Sequence, residues 1–293
     1  MSYLPRKKRR KDSSIINLRN FHNWIKYRLI AESVSYLSKN HNIHNPSLLD
    51  LAVGRGGDMN KWYNNSIYNV VGIDIDEDSI HGDGGAIERY NNLLRRTRNR
   101  KYPTPKYEFY VYDLSDSSNI KHIDHHVKNR RFNIVSCQFA IHYFFDNIDS
   151  LDTLLTIVKK YIAKHGFFIG TTMDGEKINQ MFMHGDIIKK KLYYLENKTN
   201  IIDTYTPYGN KYAVSLGEKK GETHYFVKKP SIEYMVDIQE LERMCKKHGL
   251  RVIGPVPFKK WYDEYMKTKP KHILGDEEKE FSFLNFSFVF YSE

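Results

Sequence analysis

Apolar residues near the start of the chain recur at intervals of three and four residues. From Ser14 onward they are Ile16, Phe21, Trp24, Ile25, Leu29, Ile30, Val34 and Leu37. This spacing places them on one side of an α-helix. The other side is polar, with Arg19, Asn20, His22, Asn23 and Lys26. The pattern predicts a long amphipathic helix, and such a polar side alone is typical of a solvated face.

A different pattern follows, in which short apolar runs end in polar residues. Residues 48–53 hold one charge, Asp50, as is typical of a strand buried on both faces. Further strands are predicted over residues 69–76, 106–113, 131–138 and 167–172. Three of these runs end at Asp74, Asp113 and Gln138. Because parallel strands share one carboxyl edge, we expect these side chains where an open α/β sheet binds its ligand.

The first strand runs into a glycine-rich turn. Gly54, Gly56 and Gly57 precede Asp58, which opens a predicted first helical turn. A strand, a glycine turn and a helix N-terminus are together typical of a nucleotide site. The sequence lacks both the P-loop lysine and the full Gly-x-Gly-x-x-Gly pattern. Asp74, about 20 residues downstream, has the position of a ribose-binding carboxylate. The alternative is a tight β-α turn with a solvated Asp74.

Glycines and polar segments mark the connections. The segment 82–85 holds three glycines and interrupts a helical pattern, which predicts a loop and then a helix from about Ala86. Residues 121–126, Lys-His-Ile-Asp-His-His, are predicted to be a loop, and no matching ligand pair supports a metal site there. Residues 151–164 have helical spacing and are expected to end at Gly166 as a C-cap.

The chain after Met173 is less regular and rich in tyrosine. Tyrosines lie among turn residues there, which predicts short antiparallel strands. Residues 238–248 form an amphipathic helical pattern, and residues 250–254 and 286–291 are predicted to be the last strands of the main sheet. We therefore predict an α/β fold: a mostly parallel central sheet, helices on both faces, and a mostly antiparallel insertion at about residues 186–236.

Composition narrows the class of protein. The 293 residues suffice for a single domain, expected over residues 14–293, after a basic tail at residues 1–13 that is predicted to be disordered. The net charge of +11 and the 14% of aromatic residues favour a polyanionic partner, nucleic acid before membrane. Cys137 and Cys245 are far apart, which argues for a reducing compartment. We expect neither a secretory signal nor a membrane span.

Several motifs together resemble those of mRNA cap guanine-N7 methyltransferases. They cover nearly the whole chain after the tail and are Leu18-Arg-Asn-Phe-His-Asn-Trp-Ile-Lys26, Leu49-Asp-Leu-Ala-Val-Gly-Arg-Gly-Gly-Asp58, Gln138-Phe-Ala-Ile-His-Tyr143, Gly170-Thr-Thr-Met-Asp174, Pro207-Tyr-Gly-Asn-Lys-Tyr212 and Glu233-Tyr-Met-Val236. The Gln-Phe-Ala-x-His-Tyr string is specific to this family among methyltransferases. The sequence of residues 171–177 most resembles that of the methyltransferase domain of large DNA virus capping enzymes. The resemblance implies a class I (Rossmann-like) methyltransferase fold, S-adenosylmethionine as cofactor and capped RNA as substrate.

The resemblance also implies roles for individual side chains. The cofactor would contact Lys26, Gly54, Asp74, Asp113, Gln138 and Tyr143. Among these, Asp74 would lie on the ribose and Asp113 beside the adenine. The cap would contact Phe21, His22, Asn23, Gly57, Tyr63, Arg89, His142, Glu233 and Asn285. Its guanine would lie against Phe21 and Tyr143, with His142 and Glu233 at its edge. No metal is implied.

Three positions depart from the family pattern. Arg55 stands where the glycine loop usually has a lysine, which keeps the charge but changes its shape. Val214 replaces an aromatic residue two positions after Tyr212. Asn285 stands where the last strand usually carries a cap-edge tyrosine.

The implied reaction needs no general base. Guanine N7 has a free lone pair and loses no proton on methylation, so Tyr143, His142 and Glu233 would only position the reactants. Two alternatives stay open: a class I methyltransferase acting on another RNA base, and a non-catalytic cap-binding or RNA-binding subunit on the same fold. Other capping-enzyme domains or a stimulatory subunit are possible partners. The expected location is intracellular, in the virion and host cytoplasm for a viral protein or in the nucleus for a cellular one.

Overall fold

The long N-terminal helix anchors the fold. A computed structural model describes residues 14–98, 103–199, 206–217 and 230–293, so the predicted tail at residues 1–13 lies outside it. Helix α1 spans Ile16–His41, and its apolar side, including Leu18, Phe21 and Ile25, is buried. The helix predicted from the periodicity is therefore confirmed.

The other elements follow in alternation. The strands are β1 (Ser47–Leu51), β2 (Asn69–Asp74), β3 (Lys106–Val111), β4 (Phe132–Gln138), β5 (Ile162–Met173), β6 (Ile187–Lys189), β7 (Tyr193–Asn197), β8 (Lys211–Leu216), β9 (Ser231–Tyr234), β10 (Leu250–Pro257) and β11 (Asn285–Ser292). The remaining helices are α2 (Met59–Asn64), α3 (Glu77–His81), α4 (Ala86–Thr97), α5 (Ile120–Val127), α6 (Ile148–Tyr161), α7 (Gly175–Phe182), α8 (Ile238–Lys247), α9 (Phe258–Lys267) and α10 (Asp276–Ser282). A short 3-10 helix covers Ile141–Phe145.

The central sheet has seven strands within the described residues. Their order is β10-β11-β5-β4-β1-β2-β3. Strands β3, β2, β1, β4 and β5 run parallel, and β11 pairs antiparallel with β5 and β10. The carboxyl ends of β1 to β4 therefore lie side by side, as the sequence predicts.

Both faces of this sheet are covered. Leu48, Val70 and Ile134 belong to an apolar cluster that includes the buried side of α1. Their neighbours Leu49 and Val71 belong to a second cluster, on the opposite face, with residues of α5, α6 and α8. Alternation along each strand thus sends successive side chains to two cores. This explains why the strands are apolar at nearly every position.

A second, antiparallel sheet follows the fifth strand. Its order is β6-β7-β8-β9, with each strand paired to its neighbour in sequence. Tyr193, Leu195, Tyr212 and Leu216 are buried on one side of it. The α/β fold with a mostly parallel sheet and an antiparallel addition is confirmed, whereas the division at about residues 186–236 stays a prediction.

Two local predictions are wrong. Helix α6 ends at Tyr161 and β5 begins at Ile162, so Gly166 lies within a strand and is not a C-cap. A Cβ on Gly166 would stand 2.8 Å from the Ala163 carbonyl oxygen, so this glycine permits a close backbone approach. Residues 121–126 lie in helix α5, not in a loop. Their polarity reflects the solvated side of a helix that buries only Ile123 and Val127.

Two helices near the C-terminus, α9 and α10, are not predicted from the sequence, although they pack against the start of α1 at Phe21 and His22. Within the residues that the structure describes, no group of three or more His, Cys, Asp or Glu side chains could hold a metal ion. The described helices also include none that is long and apolar enough to cross a membrane.

Candidate active site

The glycine turn is fixed to the end of the second strand. The Gly54 amide donates to Asp74 Oδ2 at 2.6 Å, and the Asp76 amide donates to Asp74 Oδ1 at 2.9 Å. Burial raises the pKa of the Asp74 carboxyl, and these two amide donors oppose that shift. Asp74 is therefore held at the sheet edge by backbone groups, which contradicts the alternative of a solvated side chain.

The turn leaves open space where a ligand would need it. Gly54 has φ +52°, which favours glycine, and no atom lies within 4 Å of the position that a Cβ would take on Gly54 or on Gly57. On Gly56, by contrast, a Cβ would stand 2.2 Å from the Met59 side chain. Gly54 and Gly57 thus present bare backbone to open space, and this fits a bound adenosine cofactor.

A buried ion network joins α1 to the helix after the turn. Asp58 lies 2.9 Å from Lys26 Nζ and 2.5 Å from Lys61 Nζ, and Lys61 also donates to Asn23 Oδ1 at 2.8 Å. Burial opposes ionisation of Asp58, but the two lysines outweigh it and lower its pKa to about 2. Sequence reasoning assigned no role to Asp58 or Lys61, although they are three positions apart at a helix start.

The next two predicted cofactor residues lie at the neighbouring strand ends. Asp113 Oδ1 accepts from the Ser115 amide at 2.9 Å and from the Ser115 hydroxyl at 2.6 Å. Gln138 Oε1 accepts from the Thr171 hydroxyl at 3.0 Å. Phe139, directly after Gln138, has φ +56°, so the chain turns sharply away from the sheet there. We name Lys26, Gly54, Asp74, Asp113 and Gln138 the cofactor edge.

Arg55 has a defined partner. Its guanidinium pairs with Asp78 and donates to the Asp83 carbonyl oxygen at 2.8 Å. The arginine thus ties the glycine turn to the glycine-rich segment after α3. A bidentate fork suits this bridge better than the lysine usual in the family.

A second set of side chains comes from distant parts of the chain. Glu233 on β9 accepts from the Tyr212 hydroxyl at 2.7 Å, and His142 Nε2 lies 3.7 Å from the same carboxylate oxygen. His142 is buried, its Nε2 has no hydrogen-bond partner among the described residues, and burial lowers its pKa. Tyr143 is 49% exposed. We name His142, Tyr143 and Glu233, the predicted guanine contacts, together with Tyr212 the guanine group.

Tyr143 connects the two sets. Burial of its hydroxyl end, followed by the Glu233 and Asp74 carboxylates, raises the pKa of Tyr143. Its ring centroid is 4.1 Å from that of His142. Tyr143 thus lies within electrostatic range of both Glu233 and the predicted ribose carboxylate Asp74, and about half of its side chain stays exposed.

The predicted cap residues on α1 are only partly accessible to a ligand. Phe21 is 0% exposed and its ring packs against Phe258, Tyr262 and Tyr265 of α9. His22 stacks on Phe139 at 5.3 Å and contacts the Ser282 hydroxyl at 2.9 Å. The structure therefore does not bring Phe21 to the site, because α9 and α10 cover this end of α1.

The remaining predicted cap residues are dispersed. Asn285 is buried and donates to the carbonyl oxygens of Phe281 and Ser282, so it stabilises the turn before β11 and offers no edge to a base. Arg89 Nε donates to the Gly84 carbonyl oxygen at 3.0 Å. Tyr63 is buried beside Tyr68, with ring centroids 5.9 Å apart. The roles of Tyr63, Arg89, Asn23 and Gly57 in cap binding stay predictions.

The fold is similar to that of solved structures. An S-adenosylmethionine-dependent methyltransferase from Clostridium acetobutylicum superposes with a TM-score of 0.54 at 16% identity, covering 91% of this chain and 92% of that one. At this identity the likeness concerns the fold alone. Sheet order, glycine turn and strand-end acids together define a class I S-adenosylmethionine-dependent methyltransferase fold.

The sequence relationship is narrower. A family model described as the mRNA (guanine-N(7))-methyltransferase domain matches residues 3–282, and the chain belongs to this family. The mRNA cap guanine-N(7) methyltransferase of Caenorhabditis elegans is 29% identical over 240 residues, which cover 80% of this chain and 60% of the relative. The Drosophila melanogaster protein of the same name is 29% identical over 276 residues, covering 92% and 60%. The chain thus spans about 60% of the length of these two relatives.

Proposed function

We propose that this chain methylates N7 of the cap guanine of GpppN RNA and uses S-adenosylmethionine as the methyl donor. The observation that carries the proposal is the position of Tyr143: it is half exposed, its ring centroid lies 4.1 Å from that of His142, and both Glu233 and Asp74 act on it electrostatically. Family membership supports the same reaction.

The cofactor edge fits the donor. S-adenosylmethionine supplies a methyl group on a positively charged sulfur. Asp74 offers a fixed carboxylate for the ribose hydroxyls. Gly54 leaves room for the methionine part of the donor to approach the backbone. Lys26, beside Asp58, provides a cation for a carboxylate, while Asp113 and Gln138 close the edge on either side. Each of these groups binds or orients, and none has to transfer a proton.

The guanine group fits the acceptor. Glu233 would accept from N1–H and the exocyclic amine, two hydrogen bonds to a charged group worth about 1.5–3 kcal/mol each. The same carboxylate favours a base that becomes cationic on methylation. The exposed Tyr143 side chain would lie against the guanine ring. His142 contributes an imidazole whose Nε2 has no hydrogen-bond partner among the described residues. Phe21 and Asn285 have no part in this proposal.

Rate enhancement would come from orientation. Guanine N7 carries its own lone pair, so the protein needs neither a nucleophile nor a base. Holding two reactants in line can lower a barrier by about 7–11 kcal/mol. The buried supports of the site, such as Tyr212 and Thr171, serve this purpose because they fix the side chains that touch the reactants.

Methyl transfer is tested directly with labelled donor. The chain is incubated with labelled S-adenosylmethionine and either GpppA-RNA or the same RNA already methylated at the cap N7. We expect label on the first RNA and none on the second. Label on both would identify another RNA base as acceptor, and cap binding without any label would identify a non-catalytic subunit.

Partners and place of action belong to the same proposal. The curated relatives come from eukaryotes, which favours action where cellular transcripts are capped, in the nucleus. A viral origin would instead place the chain in the virion and the host cytoplasm. Association with other capping-enzyme domains or with a stimulatory subunit is tested by co-purification of the full-length protein from its native source.

A further inference from the structure

The carboxylate of Glu233 is held by one tyrosine. Tyr212 and Glu233 are directly opposite each other in the antiparallel pair of β8 and β9, so their side chains project on the same face. The Tyr212 hydroxyl donates to Glu233 Oε2 at 2.7 Å. Tyr212 is completely buried, so packing fixes its ring in one orientation.

His142 does not provide the same support. Its Nε2 is 3.7 Å from Glu233 Oε2, beyond hydrogen-bond distance, and burial lowers the pKa of the imidazole, which favours its neutral form. The Tyr212 hydroxyl is thus the donor that the described residues provide for Glu233. Each carboxylate oxygen can accept more than one hydrogen bond, so Oε2 keeps acceptor capacity beside the Tyr212 hydroxyl, and no described residue donates to Oε1.

We infer that Tyr212 is a positioning residue that orients the Glu233 carboxylate and thereby sets the preference for a purine with donors at N1 and at the exocyclic amine. This inference rests on the proposed function. A carboxylate reads two adjacent donors only when its plane is fixed relative to the base. Without the hydroxyl, Glu233 would rotate freely, and the second donor of guanine would be recognised less well.

The test is the variant Tyr212→Phe, which removes one oxygen and keeps the packed ring. We expect KM for GpppA-RNA to rise about 3- to 10-fold while kcat changes by less than about 2-fold, the range of one hydrogen bond. The preference for a guanosine cap over an inosine cap, which lacks the exocyclic amine, should fall by a similar factor. Affinity for S-adenosylmethionine should not change.

A matched control is available in the same sheet. Tyr194 donates to Glu196 at 2.8 Å on β7, also within one sheet, and neither residue belongs to the site. Tyr194→Phe should leave KM and the guanosine preference as in the wild type. Melting temperatures of both variants report whether a change in KM reflects altered folding.

A double-variant cycle separates positioning from a structural effect. If Tyr212 acts through Glu233, adding Tyr212→Phe to Glu233→Ala, which removes the acceptor, should change the guanosine preference no further. An additive loss, or a Tyr212→Phe enzyme with the wild-type KM and guanosine preference, would overturn the inference. Absence of methyl transfer by the wild type would instead refute the proposed function, so the two failures are distinguishable.

Discussion

The cofactor edge and the guanine group are built in different ways. At the cofactor edge, neighbouring strand ends carry the side chains, and turn amides satisfy the carboxylates: Gly54 and Asp76 for Asp74, Ser115 for Asp113. The guanine group joins a 3-10 turn to a second sheet: His142 lies 3.7 Å from Glu233, far along the chain, and Tyr212 donates to the same carboxylate from the neighbouring strand. It also keeps a buried imidazole nitrogen without a partner among the described residues. The first region is thus held by its own backbone amides, whereas we expect the second to gain hydrogen bonds when a ligand binds.

The largest effect we expect concerns stability, and it sharpens this contrast. Asp58→Asn leaves Lys26 and Lys61 without a counter-charge in a largely buried place. The free energy of unfolding should fall by about 3–5 kcal/mol. Urea unfolding measures it, with Glu233→Gln as the comparison, for which we expect a loss below about 1 kcal/mol. Equal losses of unfolding free energy in the two variants would contradict this difference between the two regions.

A second pair compares two aromatic residues that the family resemblance places on the same guanine. Phe21 is fully buried and Tyr143 is half exposed. Phe21→Ala should lower the free energy of unfolding by about 3–5 kcal/mol because it leaves a cavity under α9. Tyr143→Ala should cost less than about 1 kcal/mol but weaken methyl transfer. Unfolding curves measure the stability of both variants, and initial rates measure methyl transfer. A stable Phe21→Ala protein with poor cap binding would indicate that Phe21 belongs to the site.

Substitutions in the two regions should also affect different ligands. Glu233→Ala should lower kcat/KM for capped RNA by about 10- to 100-fold while the affinity for S-adenosylmethionine stays nearly intact. Asp74→Ala should weaken S-adenosylmethionine binding by a similar factor, because it removes the carboxylate that orients the glycine turn. Steady-state kinetics and calorimetry measure the two quantities. Unchanged cofactor binding in Asp74→Ala would refute its placement on the ribose.

The smallest effect is a pH dependence that arises from His22, which stacks on Phe139. Burial, with the charge of Lys26, lowers the pKa of His22 from 6.5 to about 3. The folded state therefore favours neutral His22, and its contribution to stability is full above about pH 6.5 and lost as the pH falls towards about 3. At about pH 5 the free energy of unfolding is lower by about 2 kcal/mol, since each pH unit below 6.5 lowers it by about 1.4 kcal/mol.

The variant His22→Gln should remove this slope. We expect its stability between about pH 6.5 and pH 5 to change less than that of the wild type, as measured by urea unfolding at several pH values. The exposed His44, replaced by glutamine in the same way, serves as the control. A slope that persists in His22→Gln and disappears in His44→Gln would contradict the assignment.

Local patterns in the sequence predict much of the fold. Helix α1, strands β1 to β5 and their polar ends at Asp74, Asp113 and Gln138 follow from spacing alone. The failures have local causes as well. The polar side of α5 resembles a loop, and the apolar run through Ile162 hides the point where a helix passes into a strand. Helices α9 and α10 are short and half polar, so their periodicity is weak.

The sequence by itself determined the residue types and the sheet edge at which the cofactor side chains meet, because parallel strands align their ends whatever surrounds them. Only the tertiary structure decided which aromatic residues are open to a ligand. Phe21 and Tyr143 look equally suitable in the sequence, but α9 covers the first and leaves the second exposed. Likewise, the pairing of β8 with β9 set Tyr212 behind Glu233, since cross-strand register is a property of the folded chain.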